Sequence, residues 1–220
     1  MPRLLRRAVL CGALMHLCPP AIATPPALVG EAGVGAYEAG RLDEAAHLFE
    51  QAARAGNRLA QFNYAMMLLR GETAPRDDHA AWRWLRRAAN AGLPQAQYTL
   101  ALLYDHGDGV DRSWPTAAEW YRRAAEQGHV EAQVSLAAMY FAGRGVPLDP
   151  AAAARWYLAA ASAGHAGAQA ILAGMYDAGS GVERNAVLAA HWYREAAKRG
   201  DAAARAKVEA LDANHDGAEQ

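Results

Sequence analysis

Apolar and polar positions recur along this chain with a period of 36 residues. Gly56, Gly92, Gly128, Gly164 and Gly200 keep that step, and so do Trp84, Trp120, Trp156 and Trp192, with Leu48 in the first place. Gln61, Gln97, Gln133 and Gln169 form another column, and Gly71, Gly107, Gly143 and Gly179 a further one. Within a period the pattern is helical. Ala117, Trp120, Tyr121, Ala124 and Ala125 share one face at helical spacing. Ser113 precedes them as an N-cap, and Asp77, Asp149 and Asn185 are its equivalents. Each can accept a hydrogen bond from the free N–H groups of a first helical turn. Gly128 closes the helix, because the residue past a helix end often needs positive φ. A second helix follows, with Ala132, Gln133, Leu136, Ala137 and Tyr140 on its inner face, and "GRGV" at 143–146 turns the chain into the next unit. No segment reads as a strand.

A helix pair this small cannot cover its own apolar faces. Stacked on its neighbours it shares one continuous core, so the period predicts an all-α solenoid. The tryptophan column is expected to fill the space between helices.

The first 26 residues depart from this pattern. "MPRLLRRAVLCGALMHLCPPAIATPP" has a basic start, an apolar run from Ala8 to Cys18, and the small residues Ala21 and Ala23. That is the layout of a secretory signal peptide, and the run is too short to span a bilayer. Cleavage is expected near Ala23, with a periplasmic or secreted product and no stable membrane insertion. Arg6 and Arg7 also fit twin-arginine export, on weak grounds. Cys11 and Cys18 would leave with the leader, so the mature chain would hold no disulfide, cysteine-ligated metal or cysteine nucleophile. Hydrophobic content of 53% and charged content of 20% are those of a folded chain, and a formal charge of −1 argues against a nucleic-acid partner.

The stretch "AAEWYRRAAEQGHVEAQVSLAAMYFAGRGV" resembles the Sel1-like repeat, a relative of the tetratricopeptide repeat, and the resemblance runs from about Asp43 to Leu211. It implies a right-handed α/α superhelix of about five units and a protein-interaction scaffold with no shared catalytic residues or cofactor. The expected organisation is a signal peptide at 1–23, an N-terminal segment and capping helix at 24–42, a solenoid at 43–211 and a flexible tail at 212–220. The units are expected at 43–76, 77–112, 113–148, 149–184 and 185–211. The first unit departs, with Leu48-Phe49 for Trp-Tyr and Thr73 for a loop glycine.

Chemistry beyond binding has little support. Cysteine-rich relatives are linked to β-lactams, which makes an exported hydrolase the rival reading, but their paired cysteines are absent here. None of Ser113, Ser135, Ser162 and Ser180 is followed three residues on by lysine, so the Ser-x-x-Lys nucleophile is missing. His129 and His165 share a column after the turn glycine and read as turn residues. "DANHDG" at 212–217 matches the first half of an EF-hand loop, a weak calcium module at most, because the glutamate needed at position twelve has no counterpart before Gln220.

For a scaffold, specificity sits where units differ. Trp82 stands where others have alanine, two residues from Trp84, and is expected to face away from the core. Trp114 opens a helix where others have Asp78, Pro150 and Ala186, and Phe62 and Tyr98 share a column that fades to Val134 and Ala170. Arg86, Arg122 and Arg194 form a second candidate row. These seven residues are the candidate contacts for a protein partner of unknown identity.

Overall fold

The structure, a computed structural model, describes residues 25–72 and 77–218, the side chains of 214–218 excepted. The signal segment and Thr73 therefore lie outside the described residues. The described chain is helical throughout, without a strand: α1 Pro26–Glu38, α2 Leu42–Arg54, α3 Arg58–Arg70, α4 Asp78–Asn90, α5 Pro94–His106, α6 Trp114–Glu126, α7 Val130–Ala142, α8 Pro150–Ser162, α9 Ala166–Ala178, α10 Ala186–Lys198 and α11 Ala202–Ala218.

Local chemistry sets the helix ends. The side chains of Asp77, Ser113, Asp149 and Asn185 accept from the backbone N–H three residues on, at 2.8, 3.4, 2.9 and 3.0 Å. The even helices end in a common glycine turn. At Gly128, φ is +85°, and the N–H of His129 reaches back to the Ala124 carbonyl at 3.1 Å. The glutamine column completes this turn. Nε2 of Gln61, Gln97, Gln133 and Gln169 donates to the carbonyls of Ala53, Ala89, Ala125 and Ala161 at 3.0–3.2 Å. Those carbonyls lie in the last turn of a helix and have no partner within it. Each buried amide thus ties the end of one helix to the start of the next.

The second loop column depends on close approach. A Cβ built on Gly145 would lie 2.4 Å from the carbonyl carbon of Trp114, and one on Gly181 would lie 2.2 Å from the carbonyl oxygen of Pro150. Only glycine lets each loop rest on the first turn of the helix a unit earlier.

Packing shows how the columns and the units are used. The centre of the core is the position after the tryptophan: Phe49, Leu85, Tyr121, Tyr157 and Tyr193 are buried, whereas the tryptophans are half-buried. Each tryptophan packs against two successive clusters; Trp120, for example, touches the one around Leu85 and Leu100 and the one around Tyr121 and Leu136. The unit boundaries also shift. The deep ring of an even helix seats on the odd helix before it. Phe49 packs at Gly33, and Tyr121 lies 5.8 Å from the Tyr98 ring and donates its hydroxyl to Asp105 Oδ2 at 3.3 Å. The tightest pairs are therefore α1 with α2, α3 with α4, and so on, half a unit out of phase with boundaries drawn at 43, 77 and 113. Accordingly α1 is the first member of a pair rather than only a cap.

The expected flexible tail is helical instead, because α11 continues through Ala218. This also removes the loop on which the calcium reading depends. Asp212 instead accepts from Arg194 at 3.1 Å.

Candidate functional site

The residues that depart from the repeat fall into separate groups. Trp82 lies on α4, but it does not face away from the core. It is half-buried against the cluster of Leu85, Ala88 and Leu100, and its indole Nε1 is buried without a partner. The expectation failed because it measured rotation from Trp84. Trp84 is at the edge of the buried face, and Leu85 is at its centre, only about 60° from Trp82 at 100° per residue. In later units the same column holds Ala118 and Ala154, both buried. The larger ring, with Leu69, Leu103 and Val110, borders an open hollow of about 860 Å³.

Trp114 is 40% exposed and carries the Arg112 guanidinium over its ring at 5.4 Å. Its backbone supports the Gly145 loop while its side chain meets solvent. Tyr98 is engaged between units, stacked on His129 at 4.6 Å between centroids. Burial, first, and Glu131 push its hydroxyl pKa up. The arginine row makes contacts within the chain. Arg86 covers Trp82 at 5.1 Å, Arg122 donates to Tyr140 at 3.3 Å and to Glu119 at 3.1 Å, and Arg194 is held by Asp212.

The two turn histidines are helix caps. Nδ1 of His129 accepts from the Ala132 N–H at 3.3 Å, and Nδ1 of His165 from the Ala168 N–H at 3.0 Å. Asn57 and Asp201 do the same in their units. Burial is the main cause holding the His129 pKa below the usual imidazole value, which suits the neutral, accepting ring. Among the described residues no group of three or more histidines and carboxylates is placed to hold a metal.

Phe62 belongs to a feature that sequence reasoning missed. Between α1 and α3 lies a cavity of about 360 Å³, lined by apolar side chains including Val34, Phe62 and Met66. At its rim the Tyr37 hydroxyl donates to Glu72 Oε1 at 3.0 Å and accepts from Arg70 Nη1 at 3.1 Å. The other Glu72 oxygen, Oε2, is buried without a partner. Two signals were available: α1, "PALVGEAGVGAYE", has few polar residues on any side, and Met66-Met67 stands where later units have Ala138-Met139 and Gly174-Met175.

A family model described as Sel1 repeat matches residues 35–57, 58–93, 94–129, 130–165 and 166–201. From the second segment on, each match begins at the first residue of an odd helix, α3, α5, α7 and α9, in phase with the packing. A Sel1 repeat protein from Oxalobacter formigenes superposes with a TM-score of 0.73 at 32% identity, over 86% of this chain and 78% of its own. The uropathogenic Escherichia coli protein c5321, a protective antigen displaying an SLR fold, gives 0.69 at 34% identity, over 72% of this chain. The match covers 34% of c5321, so the chain corresponds to about a third of that antigen. No match was found among curated proteins.

Proposed function

We propose that this chain, which belongs to the Sel1 repeat family, is an exported, non-catalytic scaffold that binds a partner protein. One observation carries the reading. The recurring rings are used in packing, whereas two residues that break the recurrence are not consumed by it: Trp114 reaches the surface and Phe62 lines an open cavity. Exposed or pocketed aromatics at such positions are the usual anchors of protein interfaces.

The non-catalytic part rests on the missing nucleophile chemistry. Ser113 has its hydroxyl at a helix cap, 2.8 Å from that of Thr116, and no serine has the lysine that would activate it. Export rests on the leader-like pattern of residues 1–23. No helix among the described residues is long and apolar enough to cross a membrane.

Photocrosslinking from position 114 in the native periplasm, followed by mass spectrometry, tests the scaffold. A discrete protein adduct is expected, and failure to trap any adduct from either position 114 or 62 would sink the reading. Intact mass of the exported protein is expected to begin near Thr24; retention of residues 1–23 would remove the export claim. Turnover of a chromogenic β-lactam by purified protein would favour the hydrolase instead.

A further inference from the structure

We infer that the cavity between α1 and α3 is a receptor for an arginine side chain of the partner protein. The inference rests on the scaffold reading and names the chemistry that one site on it takes.

Three features converge. The floor is apolar and adaptable: Phe62 and Met66 lie on α3, and unbranched methionine fills irregular space against whatever enters. A three-carbon stem can lie along such a surface while its charged head stays at the rim. The wall contains an acceptor with nothing to accept. Glu72 Oε1 takes the Tyr37 hydroxyl and faces Arg70 Nη1 at 3.7 Å, but Oε2 is buried without a donor. A buried oxygen left this way is costly, and a charged donor satisfies it best. Finally, the rim is net acidic. Glu38 and Glu72 outnumber Arg70, which donates to the Tyr37 hydroxyl and lies 3.7 Å from Glu72 Oε1.

The cavity's size, about 360 Å³, is that of a small-ligand pocket. Guanidinium fits it better than ammonium. Its plane can lie on the Phe62 or Tyr37 ring, it sheds water more easily, and its several N–H groups can reach Glu72 without leaving the rim. Two features also distinguish this place from the equivalent ones further along. Position 72 becomes Asp108, Arg144 and Ser180, and in the column of Phe62 the next ring, Tyr98, is taken up by stacking on His129 before the column shrinks to Val134 and Ala170. The cavity is thus particular to the first pairs, not a by-product of the repeat.

The test uses the mature chain labelled with carbon-13 at its methionine methyl groups. Nα-acetyl-arginine methylamide is titrated and followed by NMR, with the citrulline counterpart as the neutral isostere. The arginine compound is expected to move the Met66 and Met67 methyls saturably, while Met139 and Met175, buried in later units, stay still. Citrulline is expected to bind at least about tenfold more weakly, since it lacks the charge. Glu72→Gln keeps the side-chain shape and should erase the difference between the two compounds. Absence of any methyl shift, or equal affinity for arginine and citrulline in the unsubstituted protein, would overturn the assignment without recourse to a variant. Equal binding of the lysine counterpart would overturn the choice of guanidinium. Loss of arginine binding alongside intact crosslinking at Trp114 would leave the scaffold standing on another surface. Intact arginine binding with no partner adduct would remove the scaffold and leave the pocket.

Discussion

Gly128 and Gly145 both have positive φ, +85° and +68°, yet replacing them with alanine should have different consequences. At Gly128 a new Cβ meets nothing within 4 Å. Gly128→Ala therefore carries only the penalty of an L-residue in the left-handed region, roughly 1–2 kcal/mol. At Gly145 the same penalty applies, and the Cβ would also lie 2.4 Å from the Trp114 carbonyl carbon, 2.5 Å from its oxygen and 2.7 Å from the Pro115 nitrogen. All three are backbone atoms at the start of α6, so no rotamer change relieves them. Either the loop lifts from α6 or the first turn of α6 shifts, and overpacking of this kind adds about 1–3 kcal/mol. Gly145→Ala should thus be destabilising by about 2–5 kcal/mol, exceeding Gly128→Ala by about 1–3 kcal/mol. Urea unfolding followed by far-UV circular dichroism compares the two variants. Hydrogen exchange locates the damage, which should concentrate at Trp114–Ala118 and the 143–149 loop. Equal midpoints for the two variants would refute the close-approach argument. Exchange spread evenly over all units would refute the assignment to one loop.

Other consequences follow from the same packing. Tyr121→Ala should be destabilising by about 3–5 kcal/mol and more so than Trp120→Ala, since Tyr121 is 1% exposed and Trp120 is half-buried; the reverse order in urea midpoints would refute the placing of Tyr121 at the core's centre. Trp82→Ala should be destabilising by about 1–3 kcal/mol because its ring packs on the core, whereas Trp114→Ala should stay within about 0.5 kcal/mol, both read from the same titrations. Acid should weaken the fold through His129. Its folded pKa lies below the usual value of 6.5, so its contribution is complete above that pH and is lost as pH falls toward the folded value. Melting temperature should therefore drop below about pH 6.5, and His129→Asn, which keeps a capping acceptor, should flatten part of that drop. An unchanged pH profile in that variant would show that the cap does not titrate with folding.

Helix ends were legible in the sequence because they depend on chemistry within a few residues. Asp77, Ser113, Asp149 and Asn185 cap where their oxygens predict, and Gly128 has the positive φ its place requires. The pairing was less legible. A period of 36 is the same whichever helix is counted first, so it cannot say whether α3 sits tighter on α2 or on α4. The offset of one residue between Trp120 and Tyr121 had a further effect, because it misplaced Trp82. Two aromatics in succession span 100° of a helix, and only a neighbour shows which of them is central. The α11 tail misled through Gly217, read as a loop glycine although the helix continues past it. The α1–α3 cavity depends on residues 35 positions apart, Tyr37 and Glu72, whose meeting no local pattern encodes.

The tryptophans shared between successive cores give the array a mechanical character. Trp84, Trp120, Trp156 and Trp192 each straddle a junction, while almost all helix contacts join nearest neighbours. A load applied along such a stack is borne by the junctions in series, since few contacts bypass them. Small tilts at each ring add up along the chain, so the array can flex as a spring while every helix keeps its hydrogen bonds. Under tension it would yield in steps, one pair at a time.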